Sequence, residues 1–255
     1  MKTIAIIPAR MNSSRFPGKP MAKIHGIPMI GHCYYRTKMC PDLMDTYVAT
    51  CDREIYDYIN SIGGNVVMTS SSHERASDRA AEAMLEIEDS IKEEVDIVVM
   101  VQGDEPMVTP LMISESLSPF KIDKNVNVVN LMANIHSLAE FDDPNEVKVV
   151  VNKFDDAIYF SREPIPSRKK SSQKVSMLKQ VCVIPFKRDY LIKFNNTPET
   201  PLEVIESIDM MRILENDEKV RMVMTNESSF SVDTKLDLIK VQKLMEADEL
   251  MGRYI

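Results

Sequence analysis

A chain of 255 residues, 44% hydrophobic and 27% charged, is long enough to bury a full core, as one large α/β domain or as a domain with a subdomain. No run approaches the roughly 18 apolar residues of a membrane span, and residues 1–9 read as a strand rather than a signal peptide, so a cytoplasmic location is expected. The net charge of −8 is uneven: the first 41 residues hold seven Lys or Arg and no acid, and the remainder carries −15. An acidic protein with one basic segment suits a small anionic ligand better than a nucleic acid or a membrane surface. The plainer reading of that segment is a solvated basic helix.

In chain order, the apolar run Ile4 to Ile7 predicts a strand at 3–7 buried on both faces, and Pro8, lacking an N–H, should end its pairing. The loop that follows has small side chains at Ala9, Ser13 and Ser14, which let backbone N–H groups approach an anion, and cations at Arg10, Arg15 and Lys19. Pro17-Gly18 fits a type II turn with Gly18 at positive φ. Together these features make a phosphate grip without a P-loop.

Further strands are expected at 45–50, 65–69, 95–101 and 126–134, and helices at 28–39, 53–62, 75–92 and 110–118. Strands alternating with helices indicate a mainly parallel sheet flanked by helices, whose ligands bind at the C-terminal strand edge. Beyond about residue 145 the pattern becomes α+β, with strands at 147–151, 157–160, 180–186 and 220–225 and helices at 201–214 and 234–249. Ser161 to Ser176, polar and basic, reads as a mobile surface loop. Cys33, Cys40, Cys51 and Cys182 lack CxxC spacing and an accompanying His cluster, so reduced thiols are expected. The nineteen methionines are scattered and read as core fillers.

Three segments carry chemistry. Gln102-Gly103-Asp104-Glu105-Pro106 follows a Val-rich strand, which puts Asp104 on the same edge as the first loop, as a metal ligand or a helix N-cap. A magnesium ion held by few carboxylates plus phosphate oxygens needs a second, distant carboxylate. Asp233, just before the last helix, is the best candidate, with N-cap as the competing reading. His73 to Arg79 opens a helix whose free N–H groups suit an acceptor such as a base carbonyl or phosphate; His73 shows no partner that would make it a base.

The motifs IIPARxxSSRxPGKP at 6–20, ATCD at 49–52, GGNVVMT at 63–69, HxxxSDRxAE at 73–82 and VQGDEP at 101–106 follow one another along the chain. With NEVKVV at 145–150, Tyr159 to Arg162, Ile165-Pro166, Pro201 to Glu203, Ile205-Glu206, Arg212 and Val232 to Thr234, they resemble the 3-deoxy-manno-octulosonate (Kdo) cytidylyltransferases across nearly the whole chain. The sialic acid cytidylyltransferases are wider relatives. The resemblance implies a single domain, 1–255, with a mixed α/β, nucleotide-diphospho-sugar transferase-like (Rossmann-like) fold. Residues 1–145 would bind the nucleotide; residues 146–255 would bind the acceptor, form a homodimer and supply Asp233.

It further implies transfer of CMP from CTP to the anomeric hydroxyl of Kdo, with release of pyrophosphate and Mg2+ as cofactor, for surface polysaccharide (lipopolysaccharide) synthesis. Arg10 and Lys19 would hold the triphosphate, with Pro8, Ala9, Ser13 and Ser14 beside it; His73, Ala76, Ser77, Arg79, Gln102 and Gly103 would surround cytosine and ribose. Asp104 and Asp233 would bind the metal, and Arg10, Lys19 and Asp104 would be catalytic. The acceptor set is Arg162, Gln180, Ile184, Asp209 and Met210, where Arg162 suits a carboxylate. There the chain departs from the family: Gln180 and Ile184 replace a histidine and a tyrosine, and Asp209-Met210 replaces a Glu-Gln pair. Ala76, Ser77 and Asp78 replace a glycine, a threonine and a glutamate, and Cys51 stands where an acid is commoner. Amino-Kdo, a sialic-type acid or a smaller carboxylated acid are therefore alternative acceptors. A nucleotide-sugar glycosyltransferase and a ligand-binding relative without turnover are the readings outside this class.

Overall fold

In the computed structural model, which describes residues 1–13, 15–170 and 176–255, the run Ile4 to Ile7 lies at the centre of the first of two five-stranded sheets. The elements in chain order are β1 (Thr3–Ala9), β2 (Lys23–Ile24), β3 (Ile27–Pro28), α1 (Met29–Lys38), β4 (Asp45–Thr50), α2 (Arg53–Ser61) and β5 (Asn65–Met68). They continue as α3 (Ala76–Ile91), β6 (Ile97–Val101), α4 (Pro110–Ile122), β7 (Val129–Asn134), α5 (Leu138–Asp142), β8 (Lys148–Val151) and β9 (Ala157–Ser161). The rest are β10 (Leu178–Val181), β11 (Val183–Lys187), α6 (Arg188–Asn196), α7 (Pro201–Glu206), α8 (Met210–Glu215), β12 (Arg221–Met224) and α9 (Lys235–Met245).

The first sheet has the order β11-β6-β1-β4-β5; its last four strands are parallel, and β11 runs antiparallel to β6. Ile4 and Ile6 pack with Ala80, Met84 and Phe186 in one core cluster, while Ala5 and Ile7 join Ile30, Ile55 and Met112 in the other. A strand apolar at every position is thus explained by helices on both faces. Each fully buried Ile stabilises by about 1.5–3 kcal/mol relative to exposure.

The second sheet, β12-β7-β10-β8-β9, is mainly antiparallel, with β12 parallel to β7. Several expectations change here. The strand expected at 126–134 is β7, which belongs to this sheet and not to the parallel one. The expected strand 180–186 is two strands that part at Cys182, β10 in the second sheet and β11 in the first. One apolar run thereby stitches the sheets together. The expected helix 201–214 breaks at Ser207, which has a φ of 53°. The last helix stops at Met245 rather than 249, α4 runs on through Pro119 to Ile122, and α5, α6 and the β2–β3 hairpin were not foreseen. Pro8 does not end β1: pairing with β6 stops at Ile6, but pairing with β4 continues to Ala9. The expected loop 161–176 begins as the last residue of β9, and residues 171–175 lie outside the described residues. No helix among the described residues is long and apolar enough to cross a membrane.

A buried ion pair braces the second half. Arg212 grips Glu203 through two bonds of 2.6 and 2.7 Å and donates to the carbonyls of Phe194 and Thr197, so α6, α7 and α8 share one anchor. Glu203 is completely buried. Arg212→Met would strand that carboxylate and should cost about 3–5 kcal/mol in denaturant unfolding, most of it recovered in Arg212→Met/Glu203→Met. A single variant as stable as the wild type would contradict the role.

The C-terminal segment is clamped to α1. His32, fully buried, sets Nε2 2.8 Å from the Ile24 carbonyl, so Nε2 carries the proton and Nδ1 accepts from the Tyr254 hydroxyl at 2.8 Å. Tyr254 stacks on Tyr35, and Arg36 binds the Val108 carbonyl and Asp248. Burial holds the His32 pKa below its usual value, with Arg36 and His25 adding to the shift and the Ile24 carbonyl and Asp248 opposing it. A depressed histidine contributes stability above the unfolded pKa of about 6.5 and loses it as pH falls below that value. Between pH 7 and pH 5 the fall in unfolding free energy should be shallower in His32→Gln than in the wild type; parallel profiles would refute this.

Candidate active site

Strands β1, β4 and β6 end at one edge of the first sheet, and β11 starts there, so the loops after β1 and β6 face each other. The first loop is shaped by the turn Phe16-Pro17-Gly18-Lys19, closed by Lys19 N–H to the Phe16 carbonyl at 3.2 Å, with Gly18 at φ 75°. It is tied back by Met11 N–H to Asp52 at 2.7 Å. Ser13 Oγ accepts from Phe16 N–H at 3.4 Å, while Ser14 lies outside the described residues. Arg10 is exposed, and no side-chain partner holds it among the described residues. Cys51 Sγ lies 3.7 Å from the Asp52 carboxylate that anchors this loop.

Lys19 points inward. Its ammonium lies 2.7 Å from Asp104 and 3.4 Å from Asp233, and Arg15 approaches Asp233 at 2.9 Å while also bonding Asn145. Burial alone would lower the Lys19 pKa; the two carboxylates outweigh it and hold the group above its usual value. Neither aspartate is a helix cap. Thr109 caps α4, and Thr234 caps α9 in a reciprocal box with Asp237, which leaves the Asp233 side chain turned toward Lys19. The backbones also meet, Val232 N–H donating to the Asp104 carbonyl at 2.9 Å.

This pair of hard carboxylates around a cation fits a divalent ion that takes its remaining ligands from phosphate and water. Among the described residues no cluster of three or more His, Cys, Asp or Glu is arranged to hold a metal, so phosphate oxygens would have to complete the shell.

Above the loop opens a cavity of 590 Å³ whose wall includes Pro8, Ala9, Arg10, Ser13 and Lys19. The opposite wall brings His73, Ala76, Arg79, Gln102 and Gly103 to the same space. Gly103 is there for closeness: a Cβ on it would sit 3.0 Å from the Pro8 carbonyl and 3.4 Å from Ala9 Cβ. Arg79 is buried and donates to the carbonyls of Ser70 and His73 and to Thr69, so it shapes the loop before α3. His73, expected without a partner, pairs with Glu82. Ser77 does not reach this cavity; it is fully buried, with Oγ donating to Asp209 at 2.9 Å.

A second cavity of 260 Å³ lies deeper, between the two sheets, and Arg162, Gln180, Ile184, Asp209 and Met210 all contribute to its wall. Their freedom differs. Arg162 spends N–H groups on the carbonyls of Glu206, Ser207 and Pro144, and Gln180 bonds the buried Asn130. Asp209 has one oxygen on Arg75 at 3.1 Å and the other on Ser77. Burial pushes its pKa up against the opposing pull of Arg75. Ile184 and Met210 are buried core residues that show only an apolar edge.

Sequence reasoning missed the floor of this cavity. Lys179 on β10 is held between Glu140 at 2.9 Å and Glu146 at 3.1 Å, and beside it Glu105 accepts from Ser229 Oγ. Burial pushes the Glu105 carboxyl up to about 7. No local pattern announces this group, because its members come together only when β10 crosses behind the loop after β6. The two cavities share a seam that includes Arg15, Glu74, Arg75, Asp104, Ser207 and Asp233.

The chain is similar to known proteins over nearly its whole length. A cytidylyltransferase family model matches residues 4–220. The 3-deoxy-manno-octulosonate cytidylyltransferase of Geobacter metallireducens is 40% identical over 251 residues, covering 94% of this chain and 96% of the relative. That of Fusobacterium nucleatum is 38% identical over 241 residues, with 94% and 96% covered. A solved CMP:2-keto-3-deoxy-manno-octonic acid synthetase complexed with CTP superposes with a TM-score of 0.87 at 37% identity, over 96% of this chain and 99% of that one. A 4-diphosphocytidyl-2C-methyl-D-erythritol synthase from Anaerococcus prevotii shares the fold alone, with a TM-score of 0.63 at 13% identity over 96% of each chain. These matches set aside the glycosyltransferase reading: the chain is a CTP-dependent nucleotidyltransferase and belongs to the Kdo cytidylyltransferase family.

Proposed function

We propose that the protein transfers CMP from CTP to the anomeric hydroxyl of Kdo, with magnesium as cofactor, in the supply of an activated sugar for lipopolysaccharide synthesis. The observation that carries this reading is the pairing of Lys19, in the wall of the nucleotide-sized cavity, with Asp104 and Asp233 on the seam between that cavity and a sugar-sized one. The 590 Å³ cavity takes CTP, and the 260 Å³ cavity takes the acceptor.

In this reading the acceptor oxygen forms a bond to the α-phosphorus as the bond to the β-phosphate oxygen breaks, pyrophosphate leaves, and the hydroxyl proton is released. The protein contributes position and charge. Arg10, exposed and unengaged, and Lys19 hold the phosphates, with Ser13 beside them. Gly103, Pro8 and Ala9 bring the backbone close to the nucleotide, and Ala76 with Gln102 bounds it. Asp104 and Asp233 would hold the magnesium ion, which when bound neutralises charge on the phosphates. Lys19 then exchanges its carboxylate contacts for phosphate oxygens.

The acceptor wall favours one second reading. Gln180 is committed to Asn130 and Ile184 presents no hydrogen bond, so hydroxyls of Kdo have fewer partners there and another carboxylated sugar acid remains in competition. A homodimer is part of the proposal; exposed Ile122, Phe154 and Met224 line one groove beside the second sheet, apolar surface that a second copy would cover. The four cysteines are free thiols, in keeping with a cytoplasmic enzyme.

Two measurements test the proposal. Asp104→Asn and Lys19→Ala should each remove pyrophosphate release by at least about 10²-fold while the protein stays folded by circular dichroism; unimpaired turnover in either would refute the mechanism. Among Kdo, amino-Kdo, a sialic-type acid and a smaller carboxylated acid, Kdo should give the highest kcat/KM, and a better substrate in that panel would replace it.

A further inference from the structure

We infer that Arg75 binds the carboxylate of the acceptor and is the specificity-determining residue for acids over neutral sugars. This rests on the reading of the acceptor as a 2-keto-3-deoxy sugar acid. In such a sugar the carboxylate is bonded directly to the carbon that bears the attacking hydroxyl. Its counter-cation must therefore stand at the seam where the two cavities meet, within reach of both the hydroxyl and the α-phosphate.

Among the described residues four cations border the acceptor cavity, and their surroundings separate them. Lys179, held by Glu140 and Glu146, is on the floor and off the seam. Arg162 is also off the seam; three of its N–H groups fasten the backbone of Pro144, Glu206 and Ser207, a role in shaping the wall. Arg15 is on the seam but its side chain is 52% exposed, and it is held by Asp233, one of the two carboxylates proposed for the metal. That leaves Arg75.

Arg75 reaches the seam from the N-cap position of α3 and is 80% shielded, its side chain being 20% exposed. Of the five N–H groups of a guanidinium, one is taken by Glu199 at 3.0 Å and one by Asp209 at 3.1 Å, which leaves three. The fork is held in place before any ligand arrives, because Asp209 is itself fixed by Ser77. A planar, pre-positioned fork suits a carboxylate, which it can grip through two parallel bonds. Glu203, the third acid nearby at 3.8 Å, is already committed to Arg212, and Glu199 is half exposed and the partner most readily released. Asp209 and Ser77 are accordingly positioning residues: they aim Arg75 and do not themselves meet the sugar.

The test compares the sugar acid with its C1 carboxamide, which keeps the shape and removes the charge, in the wild type, Arg75→Gln and Arg162→Gln. The wild type should prefer the carboxylate by on the order of 10²-fold in kcat/KM. In Arg75→Gln that preference should collapse to near unity whatever happens to the KM for CTP, whereas Arg162→Gln should keep the preference even if overall turnover falls. Should Arg75→Gln fail to fold because Asp209 is left buried and unpaired, Arg75→Gln/Asp209→Asn removes that charge and carries the same prediction. A variant at Arg75 that keeps the preference, or loss of the preference in Arg162→Gln alone, overturns the inference. Pyrophosphate release by the wild type with the sugar acid reports separately on the proposed function; a wild type inactive with every carboxylated acceptor overturns both.

Discussion

Two ionised carboxylates brought face to face inside a protein repel each other unless a proton or a cation stands between them, and the ammonium of Lys19 supplies the cation for Asp104 and Asp233. The three residues are far apart in sequence, 85 positions separating Lys19 from Asp104 and 214 separating it from Asp233. The parallel pairing of β1 with β6 delivers the first two to the same edge. The third returns only because the end of the chain docks back on the loop after β6. Val232 N–H bonds the Asp104 carbonyl there, and Arg36 ties the Val108 carbonyl to Asp248.

The second sheet makes the site specific. Its strand β10 passes directly into β11 of the first sheet, so the wall of the inner cavity and the sheet that bears the phosphate loop are one continuous piece of chain. Charges on that wall are paired inside the protein before any substrate is present, Lys179 with Glu140 and Glu146 and Arg75 with Asp209, and behind it Arg212 holds Glu203. Pre-paired groups cost little reorganisation when the ligand binds, and they hold their geometry through the charge changes of turnover.

The nucleotide half was largely legible in the sequence because its signals are local. A buried strand and a Pro-Gly turn can each be read within a few residues, and Gly18 has the positive φ the turn requires; that Gly103 is needed for close approach to Pro8 and Ala9 appears only in the fold. Spacing alone could not decide whether Asp233 is a ligand or a cap; the structure gives the cap to Thr234, and the ligand role rests on the proposal. The second half was less legible. Nothing local tells that the run at 178–187 changes sheets at Cys182, or that the helical stretch 201–214 is broken by a left-handed residue at Ser207. Lys179, Glu105 and Arg75 were missed for one reason. Each reads as an ordinary surface charge until a long-range contact holds it in the site, and Arg75 acquires its place only when Asp209, 134 residues away, comes to meet it.

The most direct measurement of the central arrangement is anomalous diffraction from crystals grown with CTP and Mn2+ in place of magnesium. Manganese density between the carboxylates of Asp104 and Asp233, with the Lys19 ammonium moved onto the phosphate oxygens, is the expected result. Manganese bound elsewhere, with Lys19 still bridging both aspartates in the presence of CTP, would contradict it.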